Sequence, residues 1–219
     1  LMPVDQEDAD LIVINTCAVT GEAEAKTRKA VRHALSLPRE PLVLVTGCVV
    51  NLHAGELTDL SPRVIAEPSK ADVASRAAVA LGIPAGSAEL APHDLAGLLG
   101  RSRIGVKIQD GCNHRCSYCI VWKARGPERS VPVGSVLDQV REAEEAGIPE
   151  VVLTGVNLGA YDGSDRDGGR VEIDELLDRI LTRTGIRRVR LSSIEPMDVT
   201  ARLIERMADA GARVAPFLH

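Results

Sequence analysis

Two kinds of hydrophobic segment alternate along the chain. Residues 11–15 (LIVIN) and 42–46 (LVLVT) are short continuous runs rich in β-branched side chains. That is the pattern of parallel strands covered on both faces. Between them, residues 21–37 carry an i,i+4 apolar stripe of Ala30 with Ala34 and Val31 with Leu35, while Lys26, Arg28, Lys29 and Arg32 fill the remaining surface. This spacing predicts a helix. Thr20 stands at its capping position, and Glu22 and Glu24 suit the positive end of the helix dipole. Residues 63–66 predict a third strand and residues 69–81 a further helix, so this part reads as an open βαβαβα layer.

Residues 83–102 break the alternation. Pro84, Gly86, Pro92, Gly97 and Gly100 lie among small residues, the composition of a linker. Beyond it, predicted strands at 105–109, 151–154, 188–191 and 213–217 alternate with predicted helices at 134–146, 173–184 and 200–210. Repeated βα units predict a barrel, with its chemistry at the C-terminal ends of the strands. Four strands, the last without a following helix, predict only part of one. The expected fold class is therefore α/β: an open parallel domain over residues 1–83, a linker over 84–102, and a partial (β/α) barrel over 103–219. Residues 162–170 (DGSDRDGGR) are expected to form a mobile insertion at the barrel's catalytic end.

Composition narrows this picture. With 219 residues, 45% of them hydrophobic, the chain can bury a substantial core, and an aromatic content of 2% leaves that core to Val, Leu, Ile and Ala. The formal net charge of -5 gives no global basic signature of nucleic-acid binding, although phosphate contacts need only local clusters of Lys and Arg. No apolar run is long enough to cross a bilayer and no secretory signal pattern opens the chain, so a cytoplasmic protein with no membrane partner is expected. The chain starts Leu1-Met2-Pro3 and stops Phe217-Leu218-His219, without start, cap or tail signals, and reads as a fragment.

The five cysteines carry the chemistry. Cys112-x3-Cys116-x2-Cys119 offers three thiolates from one loop directly after a predicted strand. In a reducing compartment such crowding favours metal or redox chemistry over disulfides. Three thiolates on a [4Fe-4S] cubane leave one iron open to the amino and carboxylate groups of S-adenosylmethionine. A structural zinc site needs a second Cys pair or histidines downstream, where only His219 stands, and it remains a distant alternative. An electron-carrying ferredoxin would need a fourth cysteine close by. Cys17 follows the first strand in Asn15-Thr16-Cys17, and Cys48 follows the second in Thr46-Gly47-Cys48. If the strands are parallel neighbours, both thiols leave the same sheet edge. Two buried, inert cysteines are the other reading, slightly favoured by spacing alone.

The stretch from Val106 to Cys119, followed by Ala124-Arg125-Gly126-Pro127-Glu128-Arg129-Ser130, resembles the radical S-adenosylmethionine methylthiotransferases over nearly the whole chain. The resemblance implies a 5′-deoxyadenosyl radical made at the Cys112, Cys116 and Cys119 cluster. It also implies Tyr118 beside the adenine of the cofactor, where an ordinary half-buried aromatic is the alternative. For Cys17 and Cys48 it implies a second [4Fe-4S] cluster whose third ligand lies upstream of Leu1. Thr154-Gly155-Val156-Asn157 and Ser192-Ser193-Ile194-Glu195-Pro196 resemble elements lining the cofactor site, which makes Gly155, Asn157, Ser193 and Glu195 candidate contacts; plain loop chemistry is the competing reading. Lys123, Arg125 and Arg129 form a charge run that by default is a solvated face, and in an RNA-modifying enzyme would position phosphates or a substrate carboxylate.

The Ala-Arg-Gly-Pro-Glu-Arg-Ser form is most similar to the branch acting on N6-threonylcarbamoyladenosine beside the tRNA anticodon. Branches acting on isopentenyladenosine or on a ribosomal-protein aspartate are the alternatives, and a non-catalytic metal-binding module is the alternative of another class. Val131 and Trp122-Lys123 depart from the commoner family pattern and bear on substrate rather than reaction class. The implied partners are tRNA, a sulfur donor, and an electron donor such as flavodoxin or ferredoxin.

Overall fold

The computed structural model describes residues 4–18, 20–83, 102–165 and 167–219. These form two compact units, each described here by itself. Residues up to 83 make the first together with Arg115–Arg125, and residues 102–114 with 126–219 make the second. The linker expected over 84–102 lies, except for Ser102, outside the described residues.

The first unit holds a parallel sheet of β1 (Leu11–Thr16), β2 (Leu42–Gly47) and β3 (Val64–Glu67), in that order. α1 (Gly21–Leu35) connects β1 to β2, with the Thr20 hydroxyl accepting from Ala23 N at 3.1 Å. Its Val31 and Ala34 share a buried cluster with Val43 and Val45 of β2. The helix stops two residues short of the expected end, where the Ser36 hydroxyl donates to His33 O. α2 (Cys48–Thr58) fills the βα unit between β2 and β3, and it opens on Cys48 itself. α3 (Val73–Ala80) follows a 3-10 turn over Lys70–Asp72.

α4 (Val121–Arg125) also belongs to the first unit, and the second unit contains β4 (Arg103–Lys107), the two-residue β5 (Gln109–Asp110), β6 (Arg129–Ser130), α5 (Val133–Glu145) and β7 (Glu150–Thr154). It continues with β8 (Asp162–Ser164), β9 (Arg170–Glu172), α6 (Ile173–Arg183), β10 (Arg188–Leu191) and α7 (Ala201–Asp209). β4, β7 and β10 pair parallel in chain order, with Arg103 and Arg188 both opposite Glu150. Sequential parallel neighbours joined by helices are the arrangement of a partial βα barrel. Val136, Leu137 and Val140 of α5 and Leu176, Leu177 and Ile180 of α6 are buried in one core with Val151, Leu153, Val189 and Leu191.

Two expectations change. The strand expected over 105–109 ends at Lys107. Ile108 still donates to Thr154 O at 2.9 Å, but its carbonyl accepts from Val131 N, and Gln109–Asp110 pairs antiparallel with Arg129–Ser130. The strand expected over 213–217 shrinks to a single bridge between Val214 and Val189 after a 3-10 turn. Pro216 has no N–H for a ladder, and Arg213 is turned to donate to Leu181, Thr184 and Ile186 carbonyls at the end of α6. Within the expected insertion over 162–170, β8 and β9 pair antiparallel, with Ser130 on Asp162 and with the Arg170–Asp162 and Arg179–Asp165 ion pairs. Among the described residues no helix is long and apolar enough to cross a membrane.

Candidate functional site

At the carboxyl end of the first unit's sheet, the last registered pair of β1 and β2 is Thr16 opposite Gly47. Cys17 and Cys48 are each the next residue, so the parallel register brings them out at one edge. Gly47 makes this possible: its φ is +100°, and a Cβ there would stand 2.4 Å from Thr16 O. The Thr16 hydroxyl donates to Thr46 O at 2.8 Å and accepts from Val49 N at 3.1 Å, tying the strand end to the first turn of α2. Cys17 is exposed and Cys48 buried. Thr46 Oγ1, two residues before Cys48, is the one buried side-chain polar atom among the described residues without a hydrogen-bond partner, a condition that calls for a ligand or water.

The first unit also takes in the segment from Arg115 to Arg125. Cys119 N donates to Cys116 O at 3.1 Å, a tight turn that sets the two thiols three residues apart before α4. α4 is anchored by Asn51 Nδ2 on Ala124 O at 2.7 Å, and Ala124 is buried in the same cluster as Ala18 and Cys48. Cys116 is exposed and Cys119 half-buried. Tyr118 is 90% exposed, which is not the half-buried aromatic of the alternative reading. Arg115 and Lys123 lie 5.3 and 5.1 Å from the Trp122 ring centre, a pair of cation–π contacts that fixes two positive charges beside the cysteines.

In the second unit, Cys112 follows β5. Gly111 before it has φ +74°, and a Cβ there would fall 2.0 Å from Pro127 O. Only glycine lets the two ends of the loop come this close. Cys112 N donates to Gly126 O at 3.1 Å, and Asn113 Oδ1 accepts from Glu128 N at 3.3 Å. Asp110 collects Gly111 N at 2.9 Å, Lys107 at 3.1 Å and Arg129 at 3.2 Å. Arg129 is therefore part of the loop's own framework. Lys123 is exposed and Arg125 half-buried.

The loops after β7 and β10 meet at Asn157, which is 2% exposed. Its Oδ1 accepts from Gly159 N and Glu195 N, both at 3.2 Å, and its Nδ2 donates to Asp198 at 2.6 Å. Ser193 O accepts from Leu158 N at 2.9 Å. Asn157 is thus a bracket between two loops, and Glu195, which is exposed, is held through its backbone. Gly155 packs flat on Gln109, which is buried and hydrogen-bonded to Gly111 O, Val156 N and Asn157 N. Gln109 and Asp198 had no place among the sequence candidates. A polar residue ending a hydrophobic strand was the available signal for Gln109; Asp198, 41 positions from Asn157, offered none.

The donor set suits an iron–sulfur cluster. All five cysteines are free thiols, three of them within one short loop that follows β5. Among the described residues no three His, Cys, Asp or Glu side chains gather to hold a single metal ion.

The Radical SAM superfamily matches residues 106–219, and a family described as Uncharacterized protein family UPF0004 matches residues 2–66. The chain belongs to the radical SAM superfamily. Membership implies S-adenosylmethionine and a [4Fe-4S] cluster as cofactors. Among its relatives, the threonylcarbamoyladenosine tRNA methylthiotransferase MtaB of Rickettsia prowazekii is 31% identical over 219 residues, covering 96% of this chain and 51% of that protein. The protein of the same name from Bacillus subtilis is 31% identical over 230 residues, covering 98% and 49%. The chain spans about half the length of these relatives. Among solved structures, the radical S-adenosylmethionine methyltransferase TsrM from Kitasatospora setae superposes with a TM-score of 0.60 at 15% identity, over 94% of this chain and 48% of that one. The cobalamin-dependent radical enzyme OxsB gives 0.54 at 10% identity, over 95% and 35%. These two share the fold.

Proposed function

We propose that Cys112, Cys116 and Cys119 hold the [4Fe-4S] cluster and that the protein places a methylthio group on C2 of N6-threonylcarbamoyladenosine in tRNA. The observation that carries this reading is the x3-x2 cysteine loop that follows β5, on the chain leaving the carboxyl end of β4, the end at which a parallel barrel presents its chemistry. When bound, the cluster supplies the electron that cleaves S-adenosylmethionine to a 5′-deoxyadenosyl radical. The chain's own residues shape the surroundings. Gly111 lets the cysteine loop close on Pro127, Asn157 holds the loops of β7 and β10 together, and Gly155, Ser193 and Glu195 line the same strand ends. Lys123 and Arg125 are the cations offered to RNA phosphate, while Arg129 shapes the loop through Asp110. The names of the two MtaB relatives support the nucleoside.

Anaerobic reconstitution with iron and sulfide, followed by reduction with S-adenosylmethionine, tests the radical chemistry. The expected results are thiolate-to-iron absorption and 5′-deoxyadenosine; in Cys112→Ser, Cys116→Ser and Cys119→Ser the absorption should fall and the 5′-deoxyadenosine be lost, and absence of both from the parent protein would sink the reading. Nucleoside analysis of tRNA from cells lacking the gene tests the substrate. Loss of a methylthio group from isopentenyladenosine, or from a ribosomal-protein aspartate, would replace the proposed nucleoside.

Cys17 and Cys48 are proposed ligands of a second [4Fe-4S] cluster. Their shared edge and the orphaned Thr46 hydroxyl support this. Iron content should fall by half in the Cys17→Ser, Cys48→Ser double variant of the complete protein, and unchanged iron would remove them as ligands.

A further inference from the structure

Gln109 is 1% exposed, and both ends of its amide are engaged. Oε1 accepts from Val156 N at 2.8 Å and Asn157 N at 3.1 Å, while Nε2 donates to Gly111 O at 2.9 Å. Gly111 O belongs to the peptide that leads into Cys112, and the N–H of that same peptide donates to Gly126 O at 3.1 Å. The peptide carrying Cys112 is therefore gripped on both sides, and one grip runs through Gln109 to the loop after β7. Gly155 closes the arrangement from above, since a Cβ there would stand 2.9 Å from Gln109 Oε1.

We propose that Gln109 is a positioning residue that locks the Cys112 loop to the 155–157 loop. Its role in catalysis rests on the reading of Cys112 as a cluster ligand, but the lock itself belongs to the protein without cofactor. The chemistry selects glutamine. Two backbone donors and one backbone acceptor need a neutral side chain that accepts at one end and donates at the other. Glutamate would satisfy Val156 and Asn157 but set a negative oxygen against Gly111 O. Leucine would leave all three groups buried and unpaired. Asparagine is one methylene too short to span the same gap.

The Gln109→Glu variant separates the two halves of the lock. Amide hydrogen exchange on the cofactor-free protein should leave Val156 and Asn157 within about twofold of the parent, while the Cys112 amide exchanges about tenfold faster. Gln109→Leu should speed all three, and Gly155→Ala, which displaces Oε1, should speed Val156 and Asn157. In the reconstituted protein, Gln109→Glu should retain iron but bind S-adenosylmethionine about tenfold more weakly. The change in the reduced cluster's electron paramagnetic resonance spectrum on adding S-adenosylmethionine should shrink accordingly. Unchanged exchange at all three amides would overturn the lock. Altered exchange with parental affinity and spectrum would reduce Gln109 to a purely structural role. A parent protein that binds no cluster would defeat the radical reading, with exchange still deciding the lock. If Gln109→Glu does not fold, Gly155→Ala tests the other half of the lock: parental exchange at Val156 and Asn157 would overturn it.

Discussion

Asn157 donates its side-chain amide to the Asp198 carboxylate at 2.6 Å, joining the loop after β7 to the turn beyond β10. Asn157 is buried and bonded at both ends of its amide, so the pair holds two strand ends of the barrel in one arrangement. Asn157→Ala and Asp198→Ala should each cost about 1–3 kcal/mol, because each strands a partner. A double-mutant cycle by chemical denaturation should show a coupling of at least about 0.5 kcal/mol; strictly additive losses would show that the two side chains act independently.

Gly111 and Gly126 share a left-handed backbone but not a neighbourhood. Their φ values are +74° and +73°, yet only Gly111 faces a backbone oxygen where its Cβ would go. Gly126→Ala should cost about 1–2 kcal/mol, the conformational penalty alone. Gly111→Ala should cost more than that, about 3 kcal/mol or above, because Pro127 O must move. Equal melting temperatures for the two variants would show that the loop yields at no expense.

The thiols should differ in reactivity in the order of their exposure. Cys17 and Cys116 are exposed and Cys48 is buried beneath α1 and β2 side chains. In the cofactor-free protein, timed alkylation read by peptide mass spectrometry should label Cys17 and Cys116 first and Cys48 only as α2 opens. Simultaneous labelling would mean that the first turn of α2 is not formed.

Tyr161 is buried with its hydroxyl donating to Val131 O at 2.8 Å, and burial pushes its pKa from the ordinary 10.0 up to about 12. The fold therefore favours the neutral phenol, and that contribution is fully present below pH 10 and is lost as pH rises from 10 through 12. Tyr161→Phe should cost about 1–3 kcal/mol at neutral pH by leaving the Val131 carbonyl unpaired. The difference between parent and variant should narrow on alkaline titration, and a constant difference would mean that Tyr161 ionises freely in the fold.

The strand and helix order was legible because its signals are local. The β-branched runs of β1 and β2 and the stripe of Val31 and Ala34 on α1 record which faces are buried. Where the sequence reading failed, a distant partner decided. Residues 213–217 look like a strand, but Pro216 cannot donate and Arg213 is committed to the carbonyls of α6. Residues 162–164 and 170–172 carry no strand pattern, yet they pair, with Ser130 bonded to Asp162 and Arg179 to Asp165.

The same division runs through the site. Sequence by itself determined the proposed ligand set, since Cys112, Cys116 and Cys119 are spaced along one loop and that spacing does not depend on remote contacts. It also determined that Cys17 and Cys48 each follow a strand. Only the tertiary structure decided that these two strands are neighbours in the register that sets Thr16 opposite Gly47. It alone showed that Arg129 bonds to Asp110, that Asn157 bridges two loops, and that Gln109 grips the peptide of Cys112. Spacing along a chain is a covalent property and can be read directly. A hydrogen bond between residues 47 or 48 positions apart exists only once the sheet has brought their backbones together.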